Sequence, residues 1–255
     1  MKNYAAGVGS TLTLEHNGER TTVDVYSREG LDFLSNLWIK SAAQHRLMYE
    51  PTWLGRPVIQ FPTDIVAIQE LLWKLQPDVV VETGVAHGGS LVLTASVMEL
   101  IGKGKVVGVD IEIRPHNRAA IEAHPLKHRI ELIEGSSIAV ETLEAVRKAI
   151  GKAKSVLVFL DSNHTETHVL QELELYAPLV TPGSYIVAHD GAQAWVWDIP
   201  NGKLEWKDDN PLNAIYKFLG GHPEFAIDPH WTRLGITSSP DGFLKRSIEP
   251  EFQLR

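Results

Sequence analysis

The sequence predicts an α/β fold: a mostly parallel, doubly wound sheet with helices on both faces, preceded by a β-hairpin and helices at the N-terminus. Three observations predict it. From Asp78 onward, short apolar, β-branched runs alternate with amphipathic segments, the pattern of a parallel sheet joined by crossover helices. Runs such as Val79-Val80-Val81 and Val156-Leu157-Val158-Phe159-Leu160 are continuously apolar, so both of their faces must be covered. The runs end in turns carrying Gly84, Asp110, Asp161 and Asp190, and the carboxyl ends of such strands are where open α/β sheets bind ligands.

The elements follow in order. Residues 11–14 and 21–26 alternate apolar and polar side chains around Asn17-Gly18, the pair best suited to a tight hairpin turn. Residues 31–48 and 64–75 carry apolar side chains at helical spacing, separated by an aromatic and proline-rich connector, 49–57. The predicted strands of the sheet are 78–82, 105–110, 129–133, 155–161 and 184–189, with helices over 88–102, 116–124, 137–150 and 164–179. A loop rich in Trp and Asp, a helix near 211–220 and two short strands, 233–237 and 242–245, complete the chain. No internal repeat or clear linker divides it. The economical reading is one structural unit, with residues 1–76 as an accessory segment and 77–255 as the core.

Composition narrows the function. The 255 residues are 44% hydrophobic, enough for a sizeable core. Thirty-two acidic residues against 24 basic ones give a net charge of −8, a poor basis for holding a phosphate backbone; no nucleic-acid partner is expected. The chain has no cysteine, which excludes thiolate chemistry, disulfides and cysteine metal sites, so any metal must sit on oxygen or imidazole. No apolar run approaches the roughly 18–20 residues that span a bilayer, and the N-terminal residues lack a secretory signal. A cytoplasmic location is the expectation.

The first strand runs into Glu82-Thr83-Gly84-Val85-Ala86-His87-Gly88-Gly89-Ser90. A glycine-rich turn before a helix lets a ligand approach the backbone, and the free amides favour an anionic group; a merely tight turn is the alternative. Asp110 and Ile111 end the second strand, where an acid can accept from a ribose diol. The loop has no lysine and Ser/Thr pair of the triphosphate-binding kind. Glu82 would repel a pyrophosphate but suits the cationic amino-acid end of S-adenosylmethionine, although a structural hydrogen-bond role is also open to it. Gly84, His87, Gly88 and Ser90 are the candidate loop contacts for this cofactor. Ser136 and Ser137, after the third strand, either meet its adenine edge or cap the next helix.

Asp161 ends the fourth strand and Asp190 the fifth, beside His189. Two convergent carboxylates suit a divalent cation of the magnesium or manganese kind, and His189 could add an imidazole. Each Asp could instead cap a helix or pair with an arginine. His164, three residues past Asp161, is placed to accept a proton from a metal-bound hydroxyl. His164 and His168 also stand at i and i+4, but the intervening glutamate is misplaced for a metalloprotease motif.

Trp53-Leu54-Gly55-Arg56-Pro57, Pro62-Thr63-Asp64, Glu82-Thr83-Gly84-Val85 with Gly88-Gly89-Ser90, Leu160-Asp161-Ser162-Asn163-His164 and Ser239-Pro240-Asp241-Gly242-Phe243-Leu244-Lys245-Arg246 resemble, as a set, the cephalosporin hydroxylase family, which includes the rhamnosyl O-methyltransferases. The resemblance spans about residues 35–246. It implies a Rossmann-like class I methyltransferase fold with an antiparallel C-terminal strand, S-adenosylmethionine as cofactor, a magnesium site and a homo-oligomer. It places the cofactor carboxylates at Glu82 and Asp110, the first metal aspartate at Asp161, and the base of metal-dependent sugar methyltransferases at His164. The second strand-end pair, usually two acids, is His189-Asp190 here, which leaves the role of His189 and the identity of the metal open. The implied activity is methyl transfer to a hydroxyl of a sugar such as a deoxyhexose, in a glycoside or other small-molecule acceptor. Trp195 and Trp197 are candidate faces for the sugar ring, or else lid or interface packing. An oxygenase-like enzyme and a non-catalytic cofactor-binding scaffold are the competing readings.

Overall fold

The structure is a computed structural model and describes Gly7, residues 9–16 and residues 18–248. Strands β1 (Thr11–His16) and β2 (Glu19–Asp24) pair antiparallel. Asn17 of the predicted turn lies outside the described residues, while Gly18 takes the left-handed backbone such a turn needs, at φ +81°. Helix α1 (Arg28–Gln44) is capped by Ser27, whose Oγ accepts from the Gly30 amide at 2.9 Å. The connector forms a two-residue ladder of β3 (Thr52–Trp53) and β4 (Arg56–Pro57) and leads into α2 (Pro62–Leu75).

Seven strands make the central sheet. Its parallel part comprises β5 (Val79–Thr83), β6 (Lys105–Asp110), β7 (Ile130–Glu134), β8 (Val156–Leu160) and β9 (Tyr185–Ala188). Strands β10 (Phe225–Ile227) and β11 (Phe243–Arg246) add antiparallel partners beyond β9. The spatial order is β10-β11-β9-β8-β5-β6-β7. The chain therefore winds outward from β5 through β6 to β7, then returns to β8 on the other side. That reversal opens a crevice at the carboxyl ends of β5 and β8.

The continuous apolar strands split their side chains by period two, as a strand must. Val80, Val106, Leu157 and Phe159 face a core shared with α2 and α3 (Gly89–Ile101). Ile121 of α4 (Pro115–Glu122) joins the same core. Val79, Val81, Val107, Val158 and Leu160 face the opposite core, built with α5 (Val140–Ile150), α6 (Glu166–Tyr176) and α7 (Pro211–Gly221). Each such fully buried aliphatic side chain is worth roughly 1.5–3 kcal/mol, which is why the sheet can hold a polar, strained rim. No helix among the described residues is long and apolar enough to cross a membrane.

Two differences from expectation have local causes. Helix α6 starts at Glu166 rather than 164, because Asn163 Oδ1 accepts from both the amide and the hydroxyl of Thr165, at 2.9 and 2.8 Å. This side-chain turn keeps His164 out of the helix. The predicted strand at 233–237 does not form; the sheet's outer strand is β10 instead. Gly235 turns the chain at φ +84°, and the segment docks on α2: Ile236 O accepts from the Thr63 hydroxyl, and Asp64 accepts from Thr237 Oγ1 at 2.6 Å and from the Ser238 amide at 2.8 Å.

Candidate active site

Asp161, His164 and Asp190 meet at the crevice. Asp161 continues β8, its amide donating to Thr83 O at 2.9 Å. Asp190 follows β9 in a left-handed conformation at φ +58°, and Ala86 across the crevice is also left-handed at φ +43°. Two non-glycine residues in this region, both bordering one cavity, mark a place where the fold tolerates strain. His164 lies between the acids: Nδ1 is 3.2 Å from Asp190 Oδ2 and Nε2 is 3.5 Å from Asp161 Oδ1. Ligand atoms of all three lie within 4.8 Å of one another.

Charge at this group is unbalanced. Burial lowers the affinity of His164 for a proton, but the Asp190 and Asp161 carboxylates outweigh it and hold the imidazole up to about 9. Burial raises Asp190, opposed by His164. A protonated imidazole thus stands as counter-ion to two acids. A third of the His164 side chain and 38% of that of Asp190 remain open to solvent, so a cation has an entry. Two carboxylates and an imidazole, with room for waters or hydroxyls, form an oxygen-rich donor set that fits magnesium or manganese.

Two cavities meet at His164 and Asp190, and Asp161 borders the first of them. One, about 200 Å³, runs along the turn after β5 and is bordered by Gly84, Val85, Ala86, His87, Gly89 and Ser90. The other, about 290 Å³, lies under α1 and is walled by Ile39, Met48, Phe61, Val196, Ile199 and Trp206. Tyr49, Ile59, Gln60, His164 and Asp190 border both.

The turn after β5 is held from three directions. Asp110 Oδ2 accepts from the Val85 and Ala86 amides at 2.8 and 3.2 Å, and its Oδ1 from the Glu112 amide at 3.2 Å. Arg56 Nε donates to His87 O at 2.9 Å and its Nη2 to Asn117 Oδ1 at 3.0 Å, while Asn117 Nδ2 donates to Ala86 O at 2.8 Å. The glycines admit protein rather than ligand: a Cβ on Gly84 would fall 1.9 Å from Asp161 O, and one on Gly89 2.0 Å from Pro57 O. Close approach is still what requires glycine, but here it joins the β5 turn to the loop after β8 and to the connector.

Glu82 sits beneath this turn at 2% exposure. Ser90 Oγ donates to its Oε1, and its Oε2 has no partner. Burial, only partly opposed by Ser90, pushes its carboxyl up to about 8. Glu82 borders the small closed cavity beneath the turn and not the cavity along it; an unpartnered buried carboxyl oxygen there suits a cationic ammonium that reaches it. Gly88 is buried against Ile121. Ile111 is exposed at the end of β6. Neither it nor Asp110, Ser136 or Ser137 borders the two cavities; the Ser137 hydroxyl is 3.1 Å from His168 Nε2 instead.

His189 is not brought into the group. Its ring is buried, edge-on to Phe159, with Nδ1 3.1 Å from Ser239 Oγ; β9 ends at Ala188 and the chain turns left-handed at Asp190, which parts the two side chains. The expected imidazole beside the acids is that of His164. Trp195 packs against the Ile39–Phe61 cluster and Trp197 lies under Lys207, 5.3 Å from its Nζ. Neither borders the cavity under α1, where the tryptophan is Trp206. Tyr49, Gln60 and Trp206 had no periodic or motif signal. The density of aromatic and proline residues in the connector is the one hint that its first part lines a pocket.

The family model described as Rhamnosyl O-methyltransferase/CmcI matches residues 45–247. A rhamnosyl O-methyltransferase of Mycobacterium leprae (strain TN) is 35% identical over 54% of this chain, and the match spans 59% of that relative's length. One from Mycobacterium bovis (strain BCG / Pasteur 1173P2) is 30% identical over 77% of this chain and 78% of its own length. The structure of CmcI with Mg and SAM superposes with a TM-score of 0.56 at 20% identity, covering 78% of this chain and 77% of that one, which shows the shared fold. The chain belongs to the rhamnosyl O-methyltransferase/CmcI family and has its class I methyltransferase fold.

Proposed function

We propose that this chain is an S-adenosylmethionine-dependent O-methyltransferase acting on a sugar hydroxyl, with a divalent metal held by Asp161 and Asp190 and with His164 beside them as the base. The observation that carries this reading is the position of the Asp161–His164–Asp190 group: His164 and Asp190 stand on the wall common to a cavity along the β5 turn and one under α1, and Asp161 borders the first of them. When bound, the cofactor supplies an electrophilic methyl and the metal polarises the acceptor hydroxyl. The chain's own residues do the rest. Gly84 to Ser90 and the unpartnered Glu82 receive the cofactor, and the walls under α1 hold the acceptor. The two meet at His164, and holding the reactants in line supplies much of the acceleration.

His164 takes the acceptor's proton. With both acids unneutralised it is already protonated at neutral pH and is no base. A cation at the acids removes the attraction that holds that proton, which couples base function to metal binding. The test is incubation with S-adenosylmethionine, Mg²⁺ and a panel of deoxyhexosides, read by mass spectrometry. The reading expects acceptor-dependent S-adenosylhomocysteine and a product heavier by one methyl, both lost in EDTA. Cofactor binding with no methylated product across the panel would reduce the chain to a binding scaffold.

A further inference from the structure

Gln60 borders the cavity along the β5 turn, the cavity under α1, and a small closed cavity that also touches Glu82, Ser90, Thr94, Asp161 and His189. No other residue is common to all three. Its side chain is 96% removed from solvent, at 4% exposure, and its Oε1 has no hydrogen-bond partner among the described residues. Buried amides are almost always satisfied; Gln60 Oε1 is fully covered where it stands, and a rotation about the side chain's last torsion, a broad and soft one, turns the amide toward the two open cavities that the residue borders.

The chain on either side of Gln60 is packed in place. The preceding segment is pressed against the start of α3, where a Gly89 Cβ would lie 2.0 Å from Pro57 O. The next residue, Phe61, is buried as the N-cap position of α2. Arg46 and Tyr49 stand at the exposed rim of the cavity under α1, where water can satisfy them, and three other polar side chains on its wall are already engaged. Gln193 Nε2 donates to Asp209 O at 3.1 Å, Asn201 Nδ2 donates to Gln44 O at 3.3 Å, and Ser238 Oγ is 3.3 Å from Ser239 Oγ. Most of the remaining wall is hydrocarbon: Ile39, Ala43, Met48, Phe61, Val196 and Ile199. Gln60 is therefore the buried amide left uncommitted on this wall, which it shares with His164 and Asp190.

We infer that Gln60 is the acceptor-recognition residue, its amide hydrogen-bonding the acceptor's second hydroxyl, next to the one that meets Asp161, His164 and Asp190. The inference rests on the sugar-hydroxyl reading above and deepens it: the acceptor presents a vicinal diol, and Gln60 selects which of its two oxygens faces the metal group. A hydroxyl can both donate and accept, so it satisfies either end of the amide. A site built to hydrogen-bond a hydroxyl rejects an analogue lacking it far better than an apolar wall can.

The experiment compares wild type with Gln60→Met, a substitution of similar length without the amide. The probes are p-nitrophenyl α-L-rhamnoside and its 2-deoxy and 3-deoxy analogues, titrated by NMR into enzyme loaded with Mg²⁺ and S-adenosylhomocysteine. Wild type is expected to bind the diol at least tenfold more tightly than one of the deoxy analogues, and Gln60→Met to lose that preference. S-Adenosylhomocysteine affinity should stay within about twofold, and the melting temperature should hold or rise, because no internal hydrogen bond is removed. Asn201→Ala, whose amide is spent inside the chain, should keep the preference. Equal binding of diol and deoxy probes by wild type, an unchanged preference in Gln60→Met, or a matching loss of S-adenosylhomocysteine affinity would each overturn the inference. Because the readout is binding, a wild type that discriminates the probes without methylating them contradicts the proposed reaction and leaves the role of Gln60 standing.

Discussion

His164 Nδ1 stands 3.2 Å from Asp190 Oδ2, across the gap between the ends of two parallel strands. The contact joins a residue held out of α6 by Asn163 to one held in a left-handed turn after β9. Neither side chain is placed by its own element's regular geometry. Their meeting is a property of the sheet edge, and it puts a proton where a metal's charge is needed.

Removing either acid tests that exchange. Asp161→Asn and Asp190→Asn are each expected to lower turnover by about 10²-fold or more, since even supporting partners of metal ligands cost 10–100-fold. Binding of S-adenosylhomocysteine, followed by calorimetry, should change little in Asp190→Asn. Equal turnover in wild type and Asp190→Asn at saturating Mg²⁺ contradicts the assignment.

His164→Gln keeps much of the side chain's bulk and polarity but cannot take up a proton. Turnover is expected to fall by about 10²–10⁴-fold, the usual worth of a positioned base, with KM for the cofactor within a few fold. A fall confined to KM would make His164 a binding residue instead.

The buried titratable groups give the metal-free protein a distinctive pH dependence. Glu82 is raised from 4.5 to about 8 and His164 from 6.5 to about 9. In each case the folded state keeps a proton that the unfolded state releases, over pH 4.5–8 for Glu82 and 6.5–9 for His164. Since stability falls with pH wherever the folded state binds more protons, the two slopes share a sign and overlap between 6.5 and 8. Melting temperature in EDTA should therefore drop most steeply in that window, and Glu82→Gln should flatten its lower part. A melting temperature that climbs from pH 6.5 to 8 would show that these groups are not raised.

Asp64 joins the segment 233–238 to α2. Asp64→Ala leaves the Thr237 hydroxyl and the Ser238 amide without their acceptor, and two buried unsatisfied donors cost about 2–4 kcal/mol. Urea unfolding should report that loss, with Asp64→Asn, which keeps one acceptor oxygen, losing less. A loss under about 0.5 kcal/mol in Asp64→Ala would mean that the segment does not depend on this joint.

The sheet was legible because its strands are short, β-branched and apolar on both faces, and because glycine or aspartate ends each run. Asp161 and Asp190 could be paired from this alone, since parallel strands deliver their carboxyl ends to one edge. His164 was legible from its spacing to Asp161. Its place between two carboxylates was not, because it depends on the Asn163 turn. His189 sits next to Asp190 in sequence but faces Phe159 and Ser239, a separation made by the left-handed turn at Asp190, which no residue type there announces. The run 233–237 has strand-like composition, yet a buried aspartate on another element claims its polar groups first. Gln60 and Trp206 come from irregular segments, where position is set by what packs around them.

Asp161 and Asp190, with His164 beside them as the base, are proposed to hold one divalent cation. Mn²⁺ titrated into the protein and followed by electron paramagnetic resonance tests this most directly. The account predicts one bound ion per chain in wild type, displaced by Mg²⁺, and its loss in both Asp161→Asn and Asp190→Asn. Undiminished Mn²⁺ binding in those two variants, or none in the wild type, would contradict it.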